Sequence, residues 1–465
     1  MDASSSPAAS VQEPYPRAAY AWYVVFVLLI VGITSYLDRY IVSLLVEPIK
    51  HDLRLTDTEV SFLQGTAFAI FFVAFGLPCG ALVDRANRRT VLALGIAIWS
   101  IMTAAGGFAQ NYWQLFASRA GVGIGEACLA PAAFSLIADY FPPKQRGRAM
   151  SVYNMANYLG GGSSLLIGGL VLTMLGGAGA ALLPGIGTIA SWKATFIIVG
   201  APGILLAALI FTVREPVRRQ MTREAAGVTE GFVEHMRKAP RVYAAVHFVS
   251  AMTAFTGFGV ASWIATYFIR RFGLSPAETG LIVGPVSAVC GMVGCILSGV
   301  TSDRLVTIGA VGGRFLLPLL WYPAALAGLL VMVSAPSEGL ALVGVGLFMV
   351  GSGFGLASVP PTIHDITPNQ FRGRATSLHF VLAGILALGS APTLVALAND
   401  YLFGDPEALG PSLLLVMTPV IVVSFLVCLT MRRAYDRLRR HYLPPEQASA
   451  HIAAEPSRVV GPGEA

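Results

Sequence analysis

The chain alternates long apolar runs with short polar connections. Each run approaches the ~20 residues that, at ~1.5 Å per residue, cross a ~30 Å hydrocarbon layer. Spans are predicted at about 21–46, 60–83, 90–109, 112–141, 149–175 and 192–213, then at 242–268, 280–300, 315–333, 339–363, 375–397 and 412–431. Twelve membrane helices follow, six on either side of the charged stretch 214–241. The domains expected are bundles at 20–213 and 242–431, joined by 214–241, a linker able to hold a short surface helix. Residues 1–19 read as a disordered tail and 432–465 as a basic one. The first apolar run is too long for a signal-peptide core and continues through Asp38 and Arg39, so no cleavable leader is expected.

Composition narrows the class. Hydrophobic residues make up 55% of the 465 and charged residues 12%, far too little charge for a soluble domain. The net charge of +6 does not point to nucleic acid, because the basic residues sit between apolar spans rather than in one patch. Their distribution sets orientation instead: 24 Lys and Arg fall on the side of the termini. Five fall on the other side, Lys50, Arg54, Lys193, Arg270 and Arg271. Both termini are therefore expected in the cytoplasm. The absence of any Asn-x-Ser/Thr sequon fits a bacterial inner membrane. Five cysteines without a CxxC spacing suggest small buried side chains, not a disulfide framework or zinc site, and no cofactor is expected.

Charge inside an apolar run is costly, so it marks either a structural ion pair or a working site. The fourth span contains SRAGVGIGEACLAP from Ser118, where Arg119 and Glu126 are seven residues apart and share one helix face. The first span contains Asp38 and Arg39. Opposite directions of travel put Asp38 and Arg119 at similar depth in the outer third, with Glu126 nearer the midplane. Asp38 and Glu126 are expected as proton-exchanging carboxylates, with Arg119 as their counter-charge and anion ligand. Arg39, about 100° around the helix from Asp38, faces a neighbouring helix or the outer headgroups, or joins the substrate ligands. Burial disfavours a charged carboxylate and a neighbouring guanidinium favours it, so an anion on Arg119 would promote protonation. Gly121, Gly123 and Gly125 read as helix packing rather than a phosphate loop, and Pro131 as a kink.

Tyr153, Asn154, Asn157 and Tyr158 form a polar group on the fifth span, lining a cavity or bonding between helices. The seventh and tenth spans carry Thr253, Thr256, Trp263, Ser352 and Ser358 but no carboxylate, so Thr256 and Trp263 are expected on an apolar substrate portion. His247 and His379 read as satisfied core residues, and His364 as interfacial.

The connections repeat. GALVDRANRR, with Gly80, Asp84, Arg85, Arg88 and Arg89, has a shorter partner in GVTSDR, with Asp303 and Arg304. DYFPPKQRGRAMS from Asp139 aligns without gaps to DITPNQFRGRATS from Asp365, an offset of 226, matching Arg146 and Arg148 to Arg372 and Arg374. Two related halves follow.

These motifs, with Arg119-x-x-x-Gly123-x-Gly125 and Trp192-Lys193-x-x-Phe196, resemble the major facilitator superfamily along essentially the whole chain. LDRYIVSLLVEPIKHDL, SFLQGTAFAIFF and the Gly-Glu-Ala of the fourth span resemble its spinster branch. The resemblance implies an all-α major facilitator fold of two pseudo-symmetric six-helix halves. It also implies alternating access, with the first, fourth, seventh and tenth helices around a central cavity. Spinster relatives move lysophospholipids or sphingoid phosphates, some with protons. The substrate expected is thus an amphipathic molecule, with the proton gradient as driving force, in a protein that works as a monomer in the lipid bilayer. The loop motifs are expected as conformational latches: Asp84 capping the eleventh helix when the halves close, and Asp139 pairing with Arg85 or Arg88. Asp303, Arg304, Asp365, Arg372 and Arg374 would act in the other half, beside Arg146 and Arg148 in the first. Alternatives are a drug exporter, an importer of small organic anions or sugar acids, and a non-transporting sensor. Against drug export, the fifth span has Gly160 to Gly162 but lacks the antiporter Gly-Pro. No nucleophile–base or metal-ligand constellation suggests an enzyme.

Overall fold

A computed structural model describes residues 15–177, 179–218, 231–368 and 371–442. Among them are twelve helices long and apolar enough to cross a membrane. They are α1 (Ala18–Leu44), α2 (Asp57–Arg85), α3 (Arg88–Gly106), α4 (Tyr112–Tyr140), α5 (Gln145–Met174) and α6 (Ser191–Thr212) in the first half. The second half holds α7 (Pro240–Phe272), α8 (Pro276–Thr307), α9 (Gly313–Ser334), α10 (Glu338–Asp365), α11 (Arg372–Phe403) and α12 (Pro406–His441). Helices dominate because a backbone in hydrocarbon must satisfy its own hydrogen bonds.

Local signals set the starts. Thr56 with Glu59 and Ser275 with Glu278 form capping boxes before α2 and α8, the second helices of the two halves. Asn111 and Ser337 cap α4 and α10 at the offset of 226. Several ends run past the apolar stretch. The helix at the end of the chain continues to His441, so Arg432, Arg433, Arg437, Arg439 and Arg440 stand on α12, not in a separate tail. Of the linker, residues 219–230 lie outside the described residues, and a short helix, Phe232–Arg237, precedes α7. Residues 1–14 of the expected disordered tail are likewise outside. The glycine-rich connection after α5 contains an antiparallel hairpin, β1 (Ala180–Leu183) and β2 (Gly187–Ala190). Gly185 and Gly187 supply the positive φ its turn needs.

Two seams join the halves. At α5/α8 the backbones touch: a Cβ on Gly162 would lie 2.4 Å from the Cβ of Ala288, and one on Gly280 2.3 Å from the Leu165 oxygen. At α2/α11 the helices are irregular, with π-turns at Phe62–Thr66 and Gly384–Ser390. Gly65 faces the Leu388 carbonyl there, 2.1 Å from where a Cβ would stand.

α4 is interrupted. Its first segment ends at Glu126 and its second starts at Leu129. Pro131 has no N–H to offer the carbonyl four residues back, which places the break at Ala127–Cys128, immediately after the buried glutamate.

Candidate functional site

The apolar faces of α1 and α4 bury four ionisable side chains. Asp38 and Arg119 are 0% exposed, Glu126 is 1% exposed, and the Arg39 side chain retains 10%. Their pairing differs from the expected one. Glu126 pairs with Arg39 through the Nη2 donor, whereas Arg119 donates from Nη1 to the Asp38 backbone oxygen at 3.1 Å. Arg119 thus lies within electrostatic reach of both carboxylates without a hydrogen bond to either, and of the two orientations expected for Arg39 the one toward a neighbouring helix is found. The 100° between consecutive residues explains it: with Asp38 against α4 near Arg119, Arg39 turns toward the next turns of α4 and α2.

Neither carboxylate oxygen of Asp38 has a hydrogen-bond partner among the described residues, nor do Nε and Nη2 of Arg119, Oε1 of Glu126 or Nε of Arg39. Such unmet groups in a dry site are costly unless a proton, water or ligand meets them. The Arg39 guanidinium also lies over Tyr36, Phe68 and Phe72, at 4.9, 4.3 and 5.6 Å from the ring centroids. Sequence reasoning missed these rings, although aromatics at 68 and 72 share one face of α2.

Between the halves lies a mostly apolar cavity, lined among others by Tyr40, Asn157, Tyr158, Thr253, Phe258 and Ser352. A smaller one beside it is bounded by Arg39, Tyr40, Gln64, Phe258 and Ser262. Tyr40 and Phe258 stack across the halves at 5.8 Å between the two. Asn157 and Tyr158 thus reach the cavity, and the Tyr158 hydroxyl donates across to the Ser352 oxygen at 3.0 Å. Tyr153 is buried against Phe134, and Asn154 is exposed outside the cavity lining, so the α5 group divides. Thr256 and Trp263 do not line it. Thr256 bonds to the Met252 oxygen within its own helix and the Trp263 indole donates to the Pro392 oxygen at 3.0 Å, making both packing residues. Nor are His247 and His379 satisfied: both are buried, and the two ring nitrogens of His247 and Nδ1 of His379 have no hydrogen-bond partner among the described residues.

At the end where α1 ends, a polar clasp joins the halves. Arg270 of α7 grips Asp57 of α2 with two bonds of 2.7 and 2.6 Å and Glu47 with a third of 2.8 Å. Lys50 and Asn399 also bond to Asp57, and Asp400 of α11 accepts from the Thr58 amide and hydroxyl, each at 2.7 Å. The signal was present in the sequence: Lys50 and Arg270 belong to the few cations on that side.

At the other end, ion pairs of Arg88 and of Arg314 each join residues of one half. Arg88 pairs with Asp139, one of the two expected partners, and with Glu215 at 2.6 Å. Arg314 pairs with Asp365 at 2.5 Å, and both residues stand 226 beyond the first pair. Asp84, Arg85, Asp303 and Arg304 are exposed, as are Arg148, Arg372 and Arg374, and Gly80 has free space around it. Arg89 binds Glu215 through its amide, and Arg146 donates to the Phe141 oxygen at 2.9 Å. Phe371, at the N-cap of α11, offers no side-chain cap, and Asp84 is exposed. Arg218 of the linker caps the last carbonyls of α2, Val83, Asp84 and Ala86.

The Major Facilitator Superfamily family model matches residues 28–392. An "MFS-type efflux pump" of Mycolicibacterium smegmatis is 31% identical over 422 residues, 87% of this chain and 91% of that protein. "Protein spinster homolog 1" of Xenopus tropicalis is 26% identical over 425 residues, 85% of this chain and 75% of the other. A crystal structure of a bacterial homolog of the human lysosomal transporter spinster, inward-facing and unoccupied, superposes with a TM-score of 0.73 at 24% identity. It covers 92% of this chain and all of that one.

Proposed function

The chain belongs to the major facilitator superfamily and resembles its spinster branch, and on that premise we propose that it is a proton-coupled transporter of an amphipathic organic anion. One observation carries this: four buried ionisable groups have unmet polar atoms, and one of them, Arg39, lines the smaller of two neighbouring cavities between the halves. Buried charge in a membrane bundle is retained where it moves an ion or binds a ligand.

The cavity takes the apolar portion of the substrate, and its anionic group meets Arg119, whose free Nε and Nη2 donors await an acceptor. Asp38 and Glu126 exchange protons as the site passes from one face of the membrane to the other. The side of the termini, rich in arginine, is the cytoplasm. The Asp57–Arg270 clasp then closes the outer face while the cytoplasmic ends stay apart. In the opposite state the clasp breaks and Asp84 reaches the start of α11, where the helix dipole favours an anion. Neutral carboxylates lower the cost of excluding water as the halves close.

The test is reconstitution in proteoliposomes with lysophospholipids of differing headgroup, with and without a pH gradient. Gradient-dependent flux is expected in the wild type, with loss of coupling in Glu126→Gln and loss of binding in Arg119→Ala. Full gradient-driven flux in Glu126→Gln would refute the coupling. The likeness to an efflux pump favours a second reading, export of amphipathic drugs through the same cavity, for which imposed gradients of opposite sign decide direction.

A further inference from the structure

The surroundings of Arg39 assign a role to residues outside the charge cluster. A guanidinium deep in a membrane bundle needs a partner, and Glu126 supplies a single contact. If Glu126 takes up a proton, Arg39 loses that counter-charge in place, because its Nε already lacks an acceptor. The aromatic faces remain. Phe68 is fully buried, Phe72 partly, and the two rings stack at 5.2 Å and 21°. With Tyr36 they present three π faces within ~6 Å of the cation, the range in which the attraction acts.

The approach of α2 that makes this contact is built into the sequence. A Cβ on Gly123 would lie 2.5 Å from the Phe68 oxygen and 3.2 Å from the Phe72 nitrogen. Only glycine lets α2 lie close enough to α4 for both rings to reach the charge. The other titratable groups around the pair are Tyr36, Asp38 and Tyr40 on α1, Arg119 and Cys128 on α4, and Tyr153 on α5. The facing turns of α2, from Phe68 to Phe72, contain no titratable residue.

We propose that Phe68 and Phe72, with Tyr36, cage the Arg39 guanidinium more closely once Glu126 is neutral and no longer draws on it, and thereby act as positioning residues that ease proton uptake by Glu126. The proposal rests on the proton-coupled reading above. Without the cage, Arg39 depends on the carboxylate alone, and protonating Glu126 becomes harder.

The experiment is a pH titration of the protonated-carboxyl stretch by infrared difference spectroscopy on the full chain in lipid nanodiscs, with Glu126→Gln and Asp38→Asn identifying the bands. It needs no substrate. Phe68→Leu and Phe72→Leu are each expected to move the Glu126 midpoint acid by about one pH unit, a tenfold weaker hold on the proton. Phe72→Tyr, which keeps the π face, retains the wild-type midpoint. Unmoved midpoints in both leucine variants would overturn the cage, and so would a shift in Phe72→Tyr equal to that in Phe72→Leu, which would mark a packing effect. A wild type with no titrating Glu126 band overturns the proton-coupled reading and the cage together. Should Phe68→Leu not fold, the half-buried position 72 carries the comparison.

Discussion

The two halves share a scaffold and differ in chemistry. Arg88 and Asp139 of the first half recur at the same offset as Arg314 and Asp365, and both pairs form. The caps of α4 and α10 recur too. Yet the positions on α10 that match Arg119 and Glu126 hold Val345 and Ser352, and α7 carries no Asp, Glu, Lys or Arg between Val242 and Ile269. Ion pairs that pin helix ends serve both halves alike, so symmetry keeps them. Charge at the centre of a span is expensive and is carried only where it is used.

The largest effect expected from this contrast is functional. Glu126→Gln should reduce gradient-driven flux in proteoliposomes to background, whereas Ser352→Ala, at the matching position, should leave coupling intact. Equal losses in the two variants would break the contrast.

The shared scaffold predicts the opposite pattern, equal sensitivity of the halves. Removing a partner from a buried pair costs about 3–5 kcal/mol. Asp139→Ala and Asp365→Ala should therefore lower thermal stability in nanodiscs to a comparable degree, with the less buried Arg314 making the second effect the smaller. A loss confined to one half would mean that the repeated motif has diverged in role.

The clasp sharpens the comparison between the two ends. Charge-assisted bonds are worth about 1.5–3 kcal/mol each, and Asp57 holds Arg270, Lys50 and Asn399 together. Asp57→Asn should shift the population toward the state open at that end, read as a longer distance between spin labels on α2 and α7. An unchanged distance distribution would remove the clasp from the gating scheme. The smallest effect belongs to Tyr158→Phe, which deletes one hydrogen bond between the halves, about 0.5–1.5 kcal/mol, and should alter transport rate modestly with stability nearly unchanged.

Much of this was legible in the amino-acid sequence. Twelve apolar runs and repeated loops suffice for the helices, the two halves and the family, because a lipid-crossing backbone has few choices. The identities of the buried charges were legible too, since nothing else in those spans is polar enough to stand out. Several boundaries were not: α12 continues through its arginines, and a hairpin forms in the connection between the fifth and sixth spans. Helix propensity and turn glycines do not stop where hydropathy does.

Side-chain partnership was the part that only tertiary structure decided. Sequence spacing put Arg119 with Asp38 and Glu126, but it could not say which arginine Glu126 would find. That depends on the rotation of α1 against α4 and on Gly123 admitting two rings of α2. The same holds for Asp57 and Arg270, 213 residues apart, whose pairing no spacing announced. Periodicity along a helix determines which residues share a face, whereas the packing of one helix on another determines what that face touches.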